Sequence, residues 1–256
     1  MEKHLKESLY ISAFQNMSGT RHILANRVAP PIKMPFKDSY VFRYAERSIH
    51  QAIVQKLARV ISTLKSAHIL MQHGFIQEQA ALQRILGELH EDIFFLAYAE
   101  IDNEITKLHQ DFLNAFYEEE FDGDTALDST QKRPMIRRSK IQAYLAKKEE
   151  SGLDPSTAVK LNRTITKTYS GFIHAASPQI MDMYGGNPPH FHVNGLLGTE
   201  RHEEYRDDLW NYFYRSIIAF GITAKAFGDQ SQFDTISQFL LEFERRNCKQ
   251  YLSEFT

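Results

Sequence analysis

A chain of 256 residues, 43% of them hydrophobic, is long enough for one large domain or two modest ones and can bury a substantial core. Thirty Lys and Arg against thirty-two Asp and Glu leave a formal net charge of −2, which excludes a global positive field for nucleic acid or an anionic membrane; any such contact must come from a local patch. The single cysteine, Cys248, excludes an internal disulfide, and the opening MEKHLKESLYISAF has no long apolar run, so a cytoplasmic protein without a membrane partner is expected.

Twelve glycines and eight prolines are few for this length, which favours helices over a turn-rich all-β fold. The first forty residues end in VAPPIKMPFKDSY, where Pro30, Pro31 and Pro35 forbid a continuous helix and predict an extended strap. From Tyr44 to about Gly74, apolar residues such as Ile49, Ile53, Leu57, Val60 and Leu64 recur at three- and four-residue steps, describing an amphipathic helix that stops at the glycine. A second helix is expected from Ile76 to Tyr117, and its stretch IFFLAYA, residues 93–99, is apolar all round and therefore buried on every side. Residues 118–128 then carry six acids and no base, and residues 131–140 five bases and no acid, which reads as a charged connection at 118–140 or as a basic patch for phosphate. Helices resume with KIQAYLAKKEE and with LDPSTAVKLNRTITKTYSGFIHAA, where Asp154 suits the N-cap and Pro155 the first helical position. Thr199 starts a helix that runs to about Gly228, with Glu200, Glu203 and Glu204 at its positive end, and the last helix begins near Ser231. The expected fold is a single all-α domain over 1–256, a bundle of six or seven helices with an extended N-terminal strap.

Several chemistries lose their motif. No histidine tested has a glutamate three residues before it, HExxH is absent at His202, and no GxxxxGK[ST], GxGxxG or GxSxG occurs, so no cofactor or metal is assigned. Two helices do carry polar rows. Arg84, Glu88 and Asp92 are spaced four apart and run directly into the IFFLAYA segment, while Ser170 and His174 lie one turn apart.

Arg43 with His50, and Arg84 with His90, resemble the RxxxxxH pattern of the HEPN-type helical ribonucleases, although Tyr44 and Ile85 stand where that family has a polar residue. The segment LQRILGELHEDIFFLAYAE is also similar to the R-x-x-x-E helix of a group of bacterial all-helical proteins, and YSGFIHAAS to their Ser-x-x-x-His helix. The resemblance implies an all-α fold of bacterial defence or stress type with a shared polar pocket. In that pocket Glu88 would orient His174, His174 would serve as acid, base or phosphate ligand beside Ser170, and Arg84 would hold phosphate. The bland alternative makes Arg84 and Glu88 a solvated pair and His174 a core histidine.

Residues 167–193, KTYSGFIHAASPQIMDMYGGNPPHFHV, place Tyr169, His190 and His192 where they and Asp92 could contact a substrate. His190 and His192 alternate, so they could converge with His174 on zinc, form a lid over the pocket, or belong to a structural loop. Two function classes stay open: metal-independent RNA cleavage at the Arg84, Glu88, Ser170 and His174 pocket, or a non-catalytic interaction module. The second would use the aromatic C-terminal helices, through Trp210, Tyr212, Phe213, Tyr214, Phe220 and Phe227, with a protein partner or a second copy as ligand.

Overall fold

The computed structural model describes residues 2–123, 127–132, 134–148, 164 and 167–246. They run as α1 (Glu2–Ala25), a hairpin of β1 (Ile32–Phe36) and β2 (Ser39–Arg43), α2 (Ile49–Gln72), α3 (Ile76–Ile101), α4 (Lys107–Tyr117) and α5 (Arg138–Lys148). The described part of α6 (167–173), a short α7 (Ser177–Met181), a two-residue hairpin of β3 (Tyr184–Gly185) and β4 (His190–Phe191), α8 (Glu200–Ala226) and α9 (Gln230–Arg246) follow. The fold is an all-α bundle, and no described helix is long and apolar enough to cross a membrane. The helix start expected at Asp154 and Pro155 lies outside the described residues.

Local chemistry sets the boundaries of the central helices. Ser48 Oγ accepts the Gln51 backbone N–H at 3.2 Å while Gln51 Oε1 accepts that of Ser48 at 3.4 Å, a reciprocal cap that starts α2. Gly74, at φ +78°, ends the turn into α3. The long helix expected over 76–117 is two helices: the chain breaks at Asp102–Asn103–Glu104, with Asn103 left-handed at φ +52°, and Thr106 caps α4 with His109 Nδ1 accepting its backbone N–H at 3.1 Å. Within IFFLAYA, Ile93, Phe95, Leu96, Ala97 and Ala99 are buried, and Phe94 and Tyr98 partly so.

The expected extended N-terminal segment is present as a hairpin, and a helix precedes it. Residues through Ala25 are helical, and Leu9, Ala13, Met17 and Leu24 form a buried stripe against α2 and α8. Extended chain begins only with β1, paired with β2 through Ile32 and Arg43 at one end and Phe36 and Ser39 at the other. Ile32, Met34, Phe36, Tyr40 and Phe42 are all about half exposed, so the hairpin does not lay its apolar side chains on the body. The C-terminal aromatic residues do the opposite: Trp210, Tyr212, Phe213, Phe220 and Phe227 are all buried, and Tyr214 stacks on Trp210 at 5.3 Å. They pack into the core, and Trp210 and Tyr212 also line cavities.

Backbone contact fixes where α8 begins. The Leu196 N–H donates to Gly74 O at 2.8 Å, and a Cβ on Gly74 would meet Leu197 N at 2.4 Å. Gly195, at φ +99°, comes as close to His73 O, at 2.4 Å from an added Cβ. The buried His202 ring then donates Nε2–H to Met71 O at 2.8 Å. From that anchor α8 runs alongside α3 until His90 meets Ser216.

A second tie is electrostatic. Asp92 on α3 accepts from Lys56 Nζ of α2 at 2.8 Å and from Arg138 of α5, and Arg138 also pairs with Glu91, which takes a further bond from Gln142. The Lys56 and Asp92 side chains are only 8% and 12% exposed, and the Lys56 ammonium lies 4.5 Å from the Phe116 ring centroid. Removing one member strands the others in low dielectric. Asp92→Ala should therefore cost about 3–5 kcal/mol in denaturant unfolding, whereas Glu88→Ala, one turn away, breaks a half-exposed pair worth roughly 0.5 kcal/mol. Equal losses would show that the cluster is not the tie described here.

Candidate functional site

Along α8, Tyr205, Asp208, Tyr212 and Arg215 are spaced three, four and three residues apart and so share one face. Opposite them stand Tyr169 and Phe172 of α6, and the two faces enclose a groove of about 310 Å³. Phe172 meets Tyr205 edge-on at 6.0 Å, Tyr169 meets Tyr212 edge-on at 6.1 Å, and the Tyr169 hydroxyl donates to Asp208 Oδ2 at 3.3 Å. Burial raises the pKa of Tyr169 and Tyr212 and pushes Tyr205 up to about 12, so all three phenols stay neutral near pH 7. The Arg215 guanidinium stands 5.7 Å from the Tyr212 ring centroid, half-buried, and among the described residues no carboxylate pairs with it.

His90 supports this wall from behind. The Ser216 hydroxyl donates to Tyr212 O at 2.7 Å, so its oxygen accepts from His90 Nε2–H at 2.9 Å. The fully buried ring stacks 6.4 Å from Tyr212, and burial, reinforced by the nearby Arg215 charge, holds its pKa well below the ordinary histidine value. This histidine is a neutral structural donor with no path to solvent, so the Arg84 and His90 pair does not present an acid–base group. In the other RxxxxxH pair, Arg43 sits on β2 and grips Glu119 at 2.5 and 2.8 Å, while His50 on α2 lies edge-on against Phe227.

Among the described residues no direct hydrogen bond or ion pair joins Arg84 or Glu88 to Ser170 or His174. Arg84 donates twice to Glu88 Oε1, at 2.9 and 2.7 Å, and lies close enough to Tyr212 for its charge to lower that phenol's pKa. Asp92 belongs to the Lys56 and Arg138 cluster. Tyr169 is in the groove, and Ser170 follows it, partly buried, its carbonyl accepting the His174 N–H at 3.1 Å. The His174 ring is exposed, and among the described residues it has no hydrogen-bond partner; Glu88 turns to Arg84. His190 and His192 stand 4.4 Å apart, with His190 Nδ1–H donating to Pro188 O at 2.9 Å. Among the described residues no group of three or more His, Cys, Asp or Glu could hold a metal ion, so His174, His190 and His192 do not converge. Asp208 and Arg215 are the charged groove residues, and sequence reasoning passed over both, as it did Phe172 and Tyr205. Their signal was the polar stripe inside a helix whose aromatic residues drew attention to packing.

His90 also sets a pH dependence. Its pKa is depressed in the folded state, so the unfolded chain binds a proton that the native chain refuses as pH falls below about 6.5. Its contribution is complete above that pH and is lost progressively below it. His90→Gln should flatten the decline of unfolding free energy between about pH 6.5 and 5, leaving the smaller slope from His109, which burial also lowers. An unchanged slope would mean that His90 is protonated in the native protein. No family model, no curated protein and no solved structure matches the chain, so the groove is interpreted from its own side chains.

Proposed function

We propose that the groove between α6 and α8 binds single-stranded RNA, holding one nucleobase among its rings. The observation that carries the reading is Arg215, a half-buried guanidinium without a carboxylate partner among the described residues, standing at the end of a row of aromatic side chains. Stacking surfaces beside an uncommitted cation suit a base next to a phosphate. Asp208, oriented by the Tyr169 hydroxyl, can accept from a base amino group, and the neutral phenols can donate to phosphate or ribose oxygens. Arg84 adds a second positive charge near Tyr212. The finer reading is metal-independent cleavage, with the exposed His174 at the end of α6 as the acid–base group.

Fluorescence anisotropy with short labelled RNAs tests the binding. Arg215→Ala should weaken it by about tenfold or more and lower the salt slope by about one, because a phosphate contact is lost. Tyr169→Ala should weaken it comparably with the slope kept, because stacking is lost. RNA affinity that ignores both changes sinks the proposal. Cleavage is followed separately in EDTA: His174→Gln should abolish turnover and leave affinity and melting temperature unchanged.

A further inference from the structure

His190 and His192 lie outside the groove lining, on the β3–β4 hairpin. His190 pairs with Gly185 across that hairpin, and the His192 backbone N–H donates to Met183 O at 2.9 Å, continuing the ladder. Side chains two apart on one strand share a face, so both imidazoles stand on the Gly185 side while Tyr184 and Phe191 turn to the other. A Cβ on Gly185 would meet nothing within 4 Å, so the histidine face has open space beside it.

The two rings are 4.4 Å apart, centre to centre, and inclined by 41°. Two imidazoles that bind one metal ion through nitrogen at about 2.0–2.1 Å keep their ring centres roughly 4.5–5 Å apart, so a small side-chain rotation lets this pair share an ion. Hydrogen bonding prepares one of them. His190 Nδ1–H donates to Pro188 O, which fixes the tautomer and leaves the Nε2 lone pair for a ligand, the usual arrangement of a metal-binding histidine. Among the described residues neither His190 Nε2 nor the His192 ring has a hydrogen-bond partner; His190 is exposed and His192 half-buried. Gly186, at φ +88°, lets the rings close over the turn, since a Cβ there would lie 3.2 Å from His190 Cε1 and 3.4 Å from His192 Nε2. The described residues add no third metal-binding side chain to the pair, and a structural zinc takes four ligands.

We infer that the hairpin is half of a zinc site, completed by the same two histidines of a second copy of the chain. A two-fold axis through the ion brings both pairs together and supplies four imidazole nitrogens, a tetrahedral set that suits zinc. Magnesium, which takes oxygen ligands, does not fit this donor set. The zinc site is separate from the RNA groove and does not depend on that reading.

Sedimentation velocity of the untagged protein tests this, at about pH 7.5 because protons compete with metal for imidazole. Zinc should double the mass found in EDTA and saturate at one ion per two chains, whereas magnesium should change nothing. His190→Ala and His192→Ala, each checked for folding by circular dichroism, should raise the zinc needed for half-conversion by about tenfold or more. His73→Ala, at an exposed histidine elsewhere, should leave the zinc response as it is. Cobalt(II) in place of zinc should show the strong visible absorption of a tetrahedral ion and lose it when both hairpin histidines are replaced. The inference is overturned by zinc that leaves the mass unchanged, by an equal response to magnesium, or by a doubling that survives the double substitution in the folded protein.

Discussion

Two backbones that approach without room for a Cβ on either side decide how this bundle is assembled. Gly74 and Gly195 let the entrance to α8 close on the turn between α2 and α3, and the Leu196 N–H then bonds Gly74 O. With that point fixed, the common rise of 1.5 Å per residue keeps α3 and α8 in step, and His90 arrives at Ser216 fourteen residues beyond His202. The same register turns the Tyr205, Asp208, Tyr212 and Arg215 stripe toward α6 and the His202 and Trp210 face toward α1. The groove therefore depends on one close approach of main chain.

Between α2, α3 and α5 the buried ionic side chains are matched: Lys56 and Arg138 against Asp92 and Glu91, with Gln142 donating to Glu91. At the wall of the groove, by contrast, the guanidinium of Arg215 has no carboxylate partner among the described residues. An unpaired polar group costs about 1–3 kcal/mol when it loses water. Its persistence on a concave surface next to aromatic rings is a physical reason to regard that surface as a place where something binds.

Much of the bundle was legible in the sequence because its signals are strong and local. The Ile49 to Leu64 periodicity, the stop at Gly74, the all-round apolar IFFLAYA and the Thr199 cap each act within a turn or two of chain. The stripe of α1 was harder to see, since Ala13 and Thr20 contribute little hydrophobic contrast and the prolines after it suggested extension. The break after Ile101 carries no glycine or proline, only Asn103 adopting a conformation that asparagine tolerates. The site was legible in fragments. Tyr169 and Arg84 lie in or beside the groove, but spacing alone could not show that Glu88 turns to Arg84 and that His174 faces solvent. Pairings such as Lys56 with Asp92 and Arg138 join residues dozens of positions apart, and no single-chain periodicity encodes them.

The exposed hairpin carries its own safeguard against sheet growth. Its two-residue turn, with Lys37 at φ +50°, makes Phe36 and Ser39 the closing hydrogen-bonded pair, so Pro35 and Tyr40 form the next, non-bonded pair. In that position the backbone nitrogen of residue 35 faces outward, along the free side of β1. A proline there has no N–H to offer, and Lys33 is left as the outward donor within the strand. A foreign strand approaching β1 finds too few main-chain donors to build a ladder and a charge beside the one that remains. The side chains of this hairpin can thus stay apolar and wet while the edge of β1 resists templating self-association through backbone pairing.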